Sequence, residues 1–147
     1  DSCQGVLWRI ANGEINSNVK TVHLLIGTNN LTIGLTADQI SEGIQANVEA
    51  IKEISPSCRV IVGGLLPRTG YNDLVAQINN RIALDWNHFD DFLIHPEYQP
   101  DGIHPNVDGY EVLGPTIRNL LINNHGTEQN SKSWRPGQHT SIPIRLR

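Results

Sequence analysis

The chain has 147 residues, 38% of them hydrophobic, and a formal net charge of −4. That length suits one domain, and the acidic balance argues against nucleic-acid binding or a basic membrane patch. No apolar run approaches the roughly 20 residues that cross a bilayer, so no transmembrane segment is expected. The six His and two Cys (Cys3, Cys58) show neither metal-ligand spacing nor a disulfide framework. The sequence therefore predicts two ordinary thiols, no metal and no other cofactor. The chain opens on Asp1 and contains no Met, which reads as a processed or partial gene product. A missing targeting segment then carries no information on compartment.

In chain order, Val6, Leu7, Ile10 and Ala11 recur at helical spacing until Asn12-Gly13, predicting a short helix over 5–12. Residues 19–26 (VKTVHLLI) are a mostly apolar run ended by Gly27, the pattern of a strand buried on both faces. Thr36 and Gln39 have the spacing of a capping box. Behind them Ile40, Ile44, Val48, Ile51 and Ile54 form one apolar helical stripe, which Pro56 ends. Residues 59–66 (RVIVGGLL) read as a second buried strand closed by Pro67, and 68–72 as a polar turn. Leu74, Ile78, Ile82 and Leu84 carry a third helix to about Asp85. Phe89–Ile94 reads as a third strand, followed over 95–106 by a loop rich in Pro, Gly and Asp. Val107, Tyr110, Leu113, Ile117, Leu120 and Leu121 mark a last helix, with a kink or restart expected at Pro115. Strands alternating with helices predict an α/β domain over 1–122 with a parallel sheet and helices on both faces. Residues 123–147 are polar and aperiodic and predict a flexible tail.

Ligands of open parallel sheets bind beyond the carboxyl ends of the strands. Gly27-Thr28-Asn29-Asn30, Pro67-Arg68 and Asp101-Gly102-Ile103-His104-Pro105 come after the three expected strands. Asp101 can fold back onto the Nδ1–H of His104, fixing its tautomer and leaving Nε2 as a general base. The same spacing also fits helix capping, with Asp as a turn former and Pro105 in the first helical turn. The Asn29 amide suits a developing oxyanion, or plain turn chemistry. Arg68 on the same rim either meets a polar substrate group or is hydrated at its turn. His23, inside a strand, reads as a satisfied core histidine, and His95, just after the third expected strand, reads as a loop residue or else as a pocket-lining one. Trp8 is expected to pack its helix onto the sheet.

Together GTNN and DGIHP resemble the third and fifth blocks, Gly-x-Asn-Asp and Asp-x-x-His, of the SGNH (GDSL-type) hydrolases. Residues 6–14 (VLWRIANGE), Leu65-Leu66-Pro67-Arg68, and Gly109-Tyr110 with Pro115 beyond look like the platelet-activating-factor acetylhydrolase catalytic-subunit subgroup. This resemblance covers residues 1 to about 122. It implies a flavodoxin-like three-layer α/β/α fold with a five-stranded parallel sheet in order 2-1-3-4-5, of which about three strands are present. It also implies a Ser-His-Asp carboxylic-ester hydrolase acting on a small, short-acyl ester. His104 would be its base, Asp101 the orienter, Asn29 an oxyanion donor, and Gly27 and Arg68 rim residues. Asn30 replaces the family's usual Asp.

The Gly-Asp-Ser block and the second oxyanion-hole Gly are not found. Too little chain separates Ser2 from the first strand for Ser2 to be the nucleophile, and Asp1-Ser2 align better just after the second block. The resemblance thus implies that two strands and the Ser lie outside these residues. Strand 19–26 would then have an unpaired apolar edge, open to a second copy of the chain. A non-catalytic module binding a glycan, lipid or protein partner is the alternative function. A nucleotide binder of the same architecture does not fit, because Gly63-Gly64 lies within a strand rather than in a phosphate loop. A cytoplasmic setting is suggested only by analogy.

Overall fold

The computed structural model describes residues 1–123; the greater part of the predicted tail, residues 124–147, lies outside them. The architecture is mixed α/β, with a small parallel sheet between helices. Strands β1 (Thr21–Leu24) and β2 (Arg59–Val62) pair in parallel, Thr21 opposite Arg59 and Leu24 opposite Val62. Helix α1 (Cys3–Arg9) starts at Ser2, whose hydroxyl accepts the Gly5 N–H, and runs into a wide π-type turn over Ile10–Glu14. That turn contains Gly13 at φ +92°, a left-handed conformation natural to glycine.

Helix α2 (Ala37–Ile54) crosses from β1 to β2 and begins with the expected capping box, Thr36 and Gln39 satisfying each other's backbone N–H. Its Ile40, Ile44 and Ile51 are buried, as the stripe requires. Helix α3 (Asn72–Asn79) ends before Ile82 and Leu84, which pack on the core from the next loop instead.

Alternate residues of β2 feed two different cores. Val62 joins Leu24, Ile40, Ile44, Val75 and Ile78, packed by α2 and α3. Ile61 joins Trp86, Phe92 and Leu113 on the opposite face. A third cluster of Ile10, Ile51 and Cys58 joins α2 to the π-type turn.

Four expectations need correction. Phe89–Ile94 is a helix, α4, not a strand. Asp90 and Asp91 occupy its first turn, where the helix dipole favours carboxylates, and only Phe92 is buried. The third sheet contact comes earlier, as a single parallel bridge between Gly63 and Trp86. It is held by Asp85 N donating to Val62 O and Gly64 N to Trp86 O, both at 2.8 Å. Two strands and a bridge thus stand where three strands were expected. Next, β1 is not buried on both faces: Thr21, Val22 and His23 are half-buried, and Leu25 just beyond is exposed. Among the described residues no strand pairs with its outer edge. Third, Trp8 is 65% exposed, because α1 turns Cys3 inward rather than its indole. Finally, α5 (Val107–Ile122) passes through Pro115 without a restart.

The Gly63–Trp86 approach leaves no room for a side chain. A Cβ at Gly63 would lie 2.4 Å from the indole ring. Gly63→Ala is expected to destabilise the chain by roughly 1–3 kcal/mol through overpacking. Urea denaturation of the two proteins measures this, and coincident midpoints would refute the close approach.

Candidate active site

The loop between α4 and α5 positions the first pair. Gly102 adopts φ +73°, turning the chain so that Asp101 faces Ile103 and His104. Asp101 Oδ1 accepts the backbone N–H groups of Ile103 (2.9 Å) and His104 (2.7 Å), and Oδ2 lies 2.7 Å from His104 Nδ1. The His104 backbone donor, its imidazole and the Ile103 amide pull the carboxyl down to about 2. A carboxylate at that distance makes Nδ1 the protonated nitrogen and leaves Nε2 with a lone pair. Asp101 is thus also the turn former of the second reading, through Ile103 N and His104 N, while α5 itself is capped by Asn106, whose Oδ1 accepts from Gly109 N at 2.9 Å. The loop is further pinned by Gln99, which donates to Ile103 O at 2.8 Å.

The second group sits just past β1. Gly27 has φ +119°, and a Cβ there would meet Ile44, Ile40 and Leu65 at 3.2–3.4 Å. Both facts demand glycine. It opens a 3-10 turn over Thr28–Ile33. Asn29 is exposed and donates through Nδ2 to the carbonyl of Asp1 at 3.0 Å. An amide carries two N–H bonds, so this contact orients the group and leaves one donor. Asn30 is fully buried, accepting from Cys3 N (2.9 Å) and donating to Gln4 Oε1 (2.8 Å). Its role is structural, and a carboxylate there could not make the second bond.

Arg68 is engaged with the β1 rim through one guanidinium nitrogen. Its Nη1 donates to Thr28 O at 3.0 Å, and its guanidinium lies 5.9 Å from the Tyr71 ring centre. Thr28 and His104 line one cavity of about 200 Å³, otherwise walled mostly by apolar side chains including Leu25, Leu65, Leu66 and Leu113. Of the residues given a catalytic or rim role, His104 lines it together with its motif neighbours Ile103 and Pro105, and Asn29, Gly27 and Arg68 adjoin or hold Thr28. Sequence reasoning missed Thr28 as a lining residue, although it lies inside the GTNN motif.

The remaining histidines among the described residues each have a partner, and His125 and His139 lie outside those residues. His23 accepts at Nε2 from Trp86 Nε1 (3.0 Å), a satisfied, half-buried histidine. Burial lowers its pKa, against the opposing pull of Asp85. His95 pairs with Glu97 at 3.0 Å on the surface. His88 forms a second imidazole–carboxylate pair, Nδ1 lying 2.6 Å from Asp91 Oδ2, but its Nε2 is already bound to Thr116 Oγ1 at 2.9 Å. Both cysteines are buried and unpaired, and burial raises Cys3 to about 11, which keeps it a thiol. Among the described residues no group of three or more His, Cys, Asp or Glu could hold a metal ion, and no helix is long and apolar enough to cross a membrane.

The α/β frame thus carries an imidazole–carboxylate pair and an oriented amide on one sheet rim, where open parallel sheets bind ligands. Comparison with known proteins adds relatives by sequence. No family model matches the chain. The platelet-activating factor acetylhydrolase IB subunit alpha1 of Bos taurus is 43% identical over 83 residues, covering 56% of this chain and 35% of that protein. The Homo sapiens alpha1 subunit is 41% identical over the same length and coverage. A Drosophila melanogaster protein named as the IB subunit beta homolog is 37% identical over 83 residues, covering 56% of this chain and 36% of that protein. Over that 83-residue segment the chain is similar to these subunits, and its mixed α/β architecture is observed directly. It spans about a third of the length of the curated relatives it matches.

The Asp101 geometry has a measurable consequence. Its carboxyl is held below the ordinary 3.8 at about 2. The loop's three bonds to Asp101 should thus be intact above pH 3.8 and lost as pH falls through about 2. Carboxyl-carbon NMR titration is expected to place the midpoint near 2. In Asp101→Asn the His104 nitrogen shifts should report mixed tautomers. An unshifted midpoint would show that the carboxylate is not held.

Proposed function

We propose that these residues contribute the base, its orienting carboxylate and one oxyanion donor to a carboxylic-ester hydrolase for short acyl groups. The nucleophilic Ser would come from a segment other than the described residues. The observation that carries this reading is His104: Nδ1 is held by Asp101 at 2.7 Å, while Nε2 has no hydrogen-bond partner among the described residues. It also lines a largely apolar cavity of about 200 Å³, where an acyl group could lie, and the short acyl group is taken from the relatives' name as acetylhydrolase subunits.

These positions define the chemistry. A Ser Oγ would attack the ester carbonyl while its proton passes to His104 Nε2, and Asp101 would stabilise the imidazolium. The second Asn29 N–H would donate to the developing oxyanion. Collapse would expel the alkoxide, which takes the proton from His104. Water would then repeat the sequence on the acyl-enzyme, restoring the Ser and releasing the acid.

Ser2 is poorly suited to be that Ser, since its hydroxyl caps α1 through Gly5 N at 3.1 Å. The open side of β1 offers a place for an added strand. Arg59 N bonds Lys20 O and Gly63 N bonds Leu24 O. The alternation of a parallel ladder therefore turns the outer backbone groups of Thr21, His23 and Leu25 to the open side. A groove of about 420 Å³ lined by Val6, Ile10, Val19, Val22 and others runs along it. A strand added parallel to β1 would end on the rim that holds Gly27, Asn29 and His104. A second copy of this chain is the other candidate for that edge.

A non-catalytic binding module is favoured by one observation: one donor of Asn29 is already spent on the Asp1 carbonyl. Fusing an N-terminal segment with a Gly-Asp-Ser block to the full chain and assaying a short-chain chromogenic ester separates the two readings. Ser-dependent hydrolysis is expected, falling by roughly 10⁴-fold or more in His104→Ala and by roughly 10²–10³-fold in Asn29→Ala. An inactive fusion, or activity indifferent to His104→Ala, favours the binding module.

A further inference from the structure

We infer that the turn after β2 sets the distance between the two halves of the site, with Arg68 as a positioning residue for the Asn29 loop. This rests on the esterase reading only for its kinetic consequence. Two consecutive residues reach in opposite directions. Arg68 Nη1 crosses to the β1 rim and donates to Thr28 O at 3.0 Å, with Thr28 Oγ1 at 3.5 Å. Thr69 N donates to Gly102 O at 3.0 Å, one residue after Asp101. The amide loop and the imidazole loop, far apart in sequence, are thus tied to adjacent residues of one short turn.

The turn is itself braced. Asn72 Oδ1, at the start of α3, accepts from Arg68 N at 3.0 Å, and Tyr71 N donates to Arg68 O at 2.8 Å. The guanidinium is half-buried, stands over Tyr71 and makes no carboxylate ion pair among the described residues. A hydrated surface Arg would not be committed to a neutral carbonyl across that gap. The grip also has a directional effect. The Thr28–Asn29 peptide is planar, so holding its carbonyl oxygen fixes the orientation of the whole unit from which Asn29 projects. The imidazole side is equally tight, since a Cβ on Gly102 would come within 2.0 Å of Thr69 Oγ1.

The test uses the full chain, labelled with nitrogen-15, and needs no activity. Asn30 N donates to Gly27 O at 3.0 Å and reports the order of the amide loop. Arg68→Gln is expected to speed exchange of that amide about tenfold or more and to shift the Asn29 side-chain amide. The His104 signals should stay in place, and Arg68→Lys should recover most of the effect. Gly102→Ala should do the converse, moving His104 while leaving Asn29 and Asn30 unchanged. In the Ser-bearing fusion, Arg68→Gln should lower kcat with KM nearly unchanged. Unchanged Asn30 exchange in Arg68→Gln, no recovery in Arg68→Lys, or loosening spread evenly over the chain would each overturn the inference. An inactive fusion with the selective NMR response intact would instead count against the esterase reading alone.

Discussion

The parallel pairing of Thr21–Leu24 with Arg59–Val62 dictates where the loops and helices of this chain can lie. Parallel strands end on the same side, so the chain after Leu24 and the chain after Val62 leave the sheet together. That is why the Arg68 guanidinium reaches the Gly27–Asn30 loop, although Thr28 and Arg68 are 40 positions apart. The crossover must be long enough to return the chain to the start of β2, and α2 does this while burying Ile40, Ile44 and Ile51. The pleat then sends Ile61 and Val62 into separate cores, so helices are required on both faces.

Polar groups inside the fold are used to fasten α1 to this frame. Cys3 N binds Asn30 Oδ1, and Asn47 Nδ2 binds both Cys3 O and Gly43 O, so the first turn of α1 is held by the amide loop and by α2. The approach is close, since a Cβ on Gly43 would lie 3.0 Å from Cys3 Cβ. Buried amides help only when satisfied. Among the described residues Asn47 Oδ1 and Ser41 Oγ have no partner, which offsets part of what the network contributes. Through Asn30, this same network stiffens the loop that presents Asn29.

What could be read from the sequence was what is written locally. The α2 cap and stripe are consecutive signals, and both appear in the structure. The i, i+3 pairing of Asp101 and His104 is likewise local. Phe89–Ile94 failed because a six-residue apolar–acidic run satisfies strand and helix patterns alike. Its two carboxylates in the first turn and the single buried Phe92 decide for helix, and burial is not a property of the run alone. The contacts of Arg68 with Thr28 and of His88 with Thr116 join residues 40 and 28 positions apart. No spacing rule encodes such pairs, so Arg68 could be placed on the rim but not given a partner.

The two imidazole–carboxylate pairs show why residue type and spacing do not define a site. Asp91 holds His88 as closely as Asp101 holds His104, at 2.6 and 2.7 Å. The distinction is made at the other nitrogen. His88 Nε2 is already bound to the Thr116 hydroxyl, so this imidazole joins the chain just before α4 to α5. A base must have its lone pair available to a reacting proton. His104 meets that condition, being 77% exposed in its side chain and lining an apolar cavity with Thr28. The difference traces to chain direction. Asp91 lies after its histidine, inside a helix whose far side faces α5. Asp101 lies before its histidine, in a glycine turn that swings the ring out over the end of the sheet. The same two residue types thus tether one part of the fold and, in the other, leave an imidazole nitrogen facing a cavity.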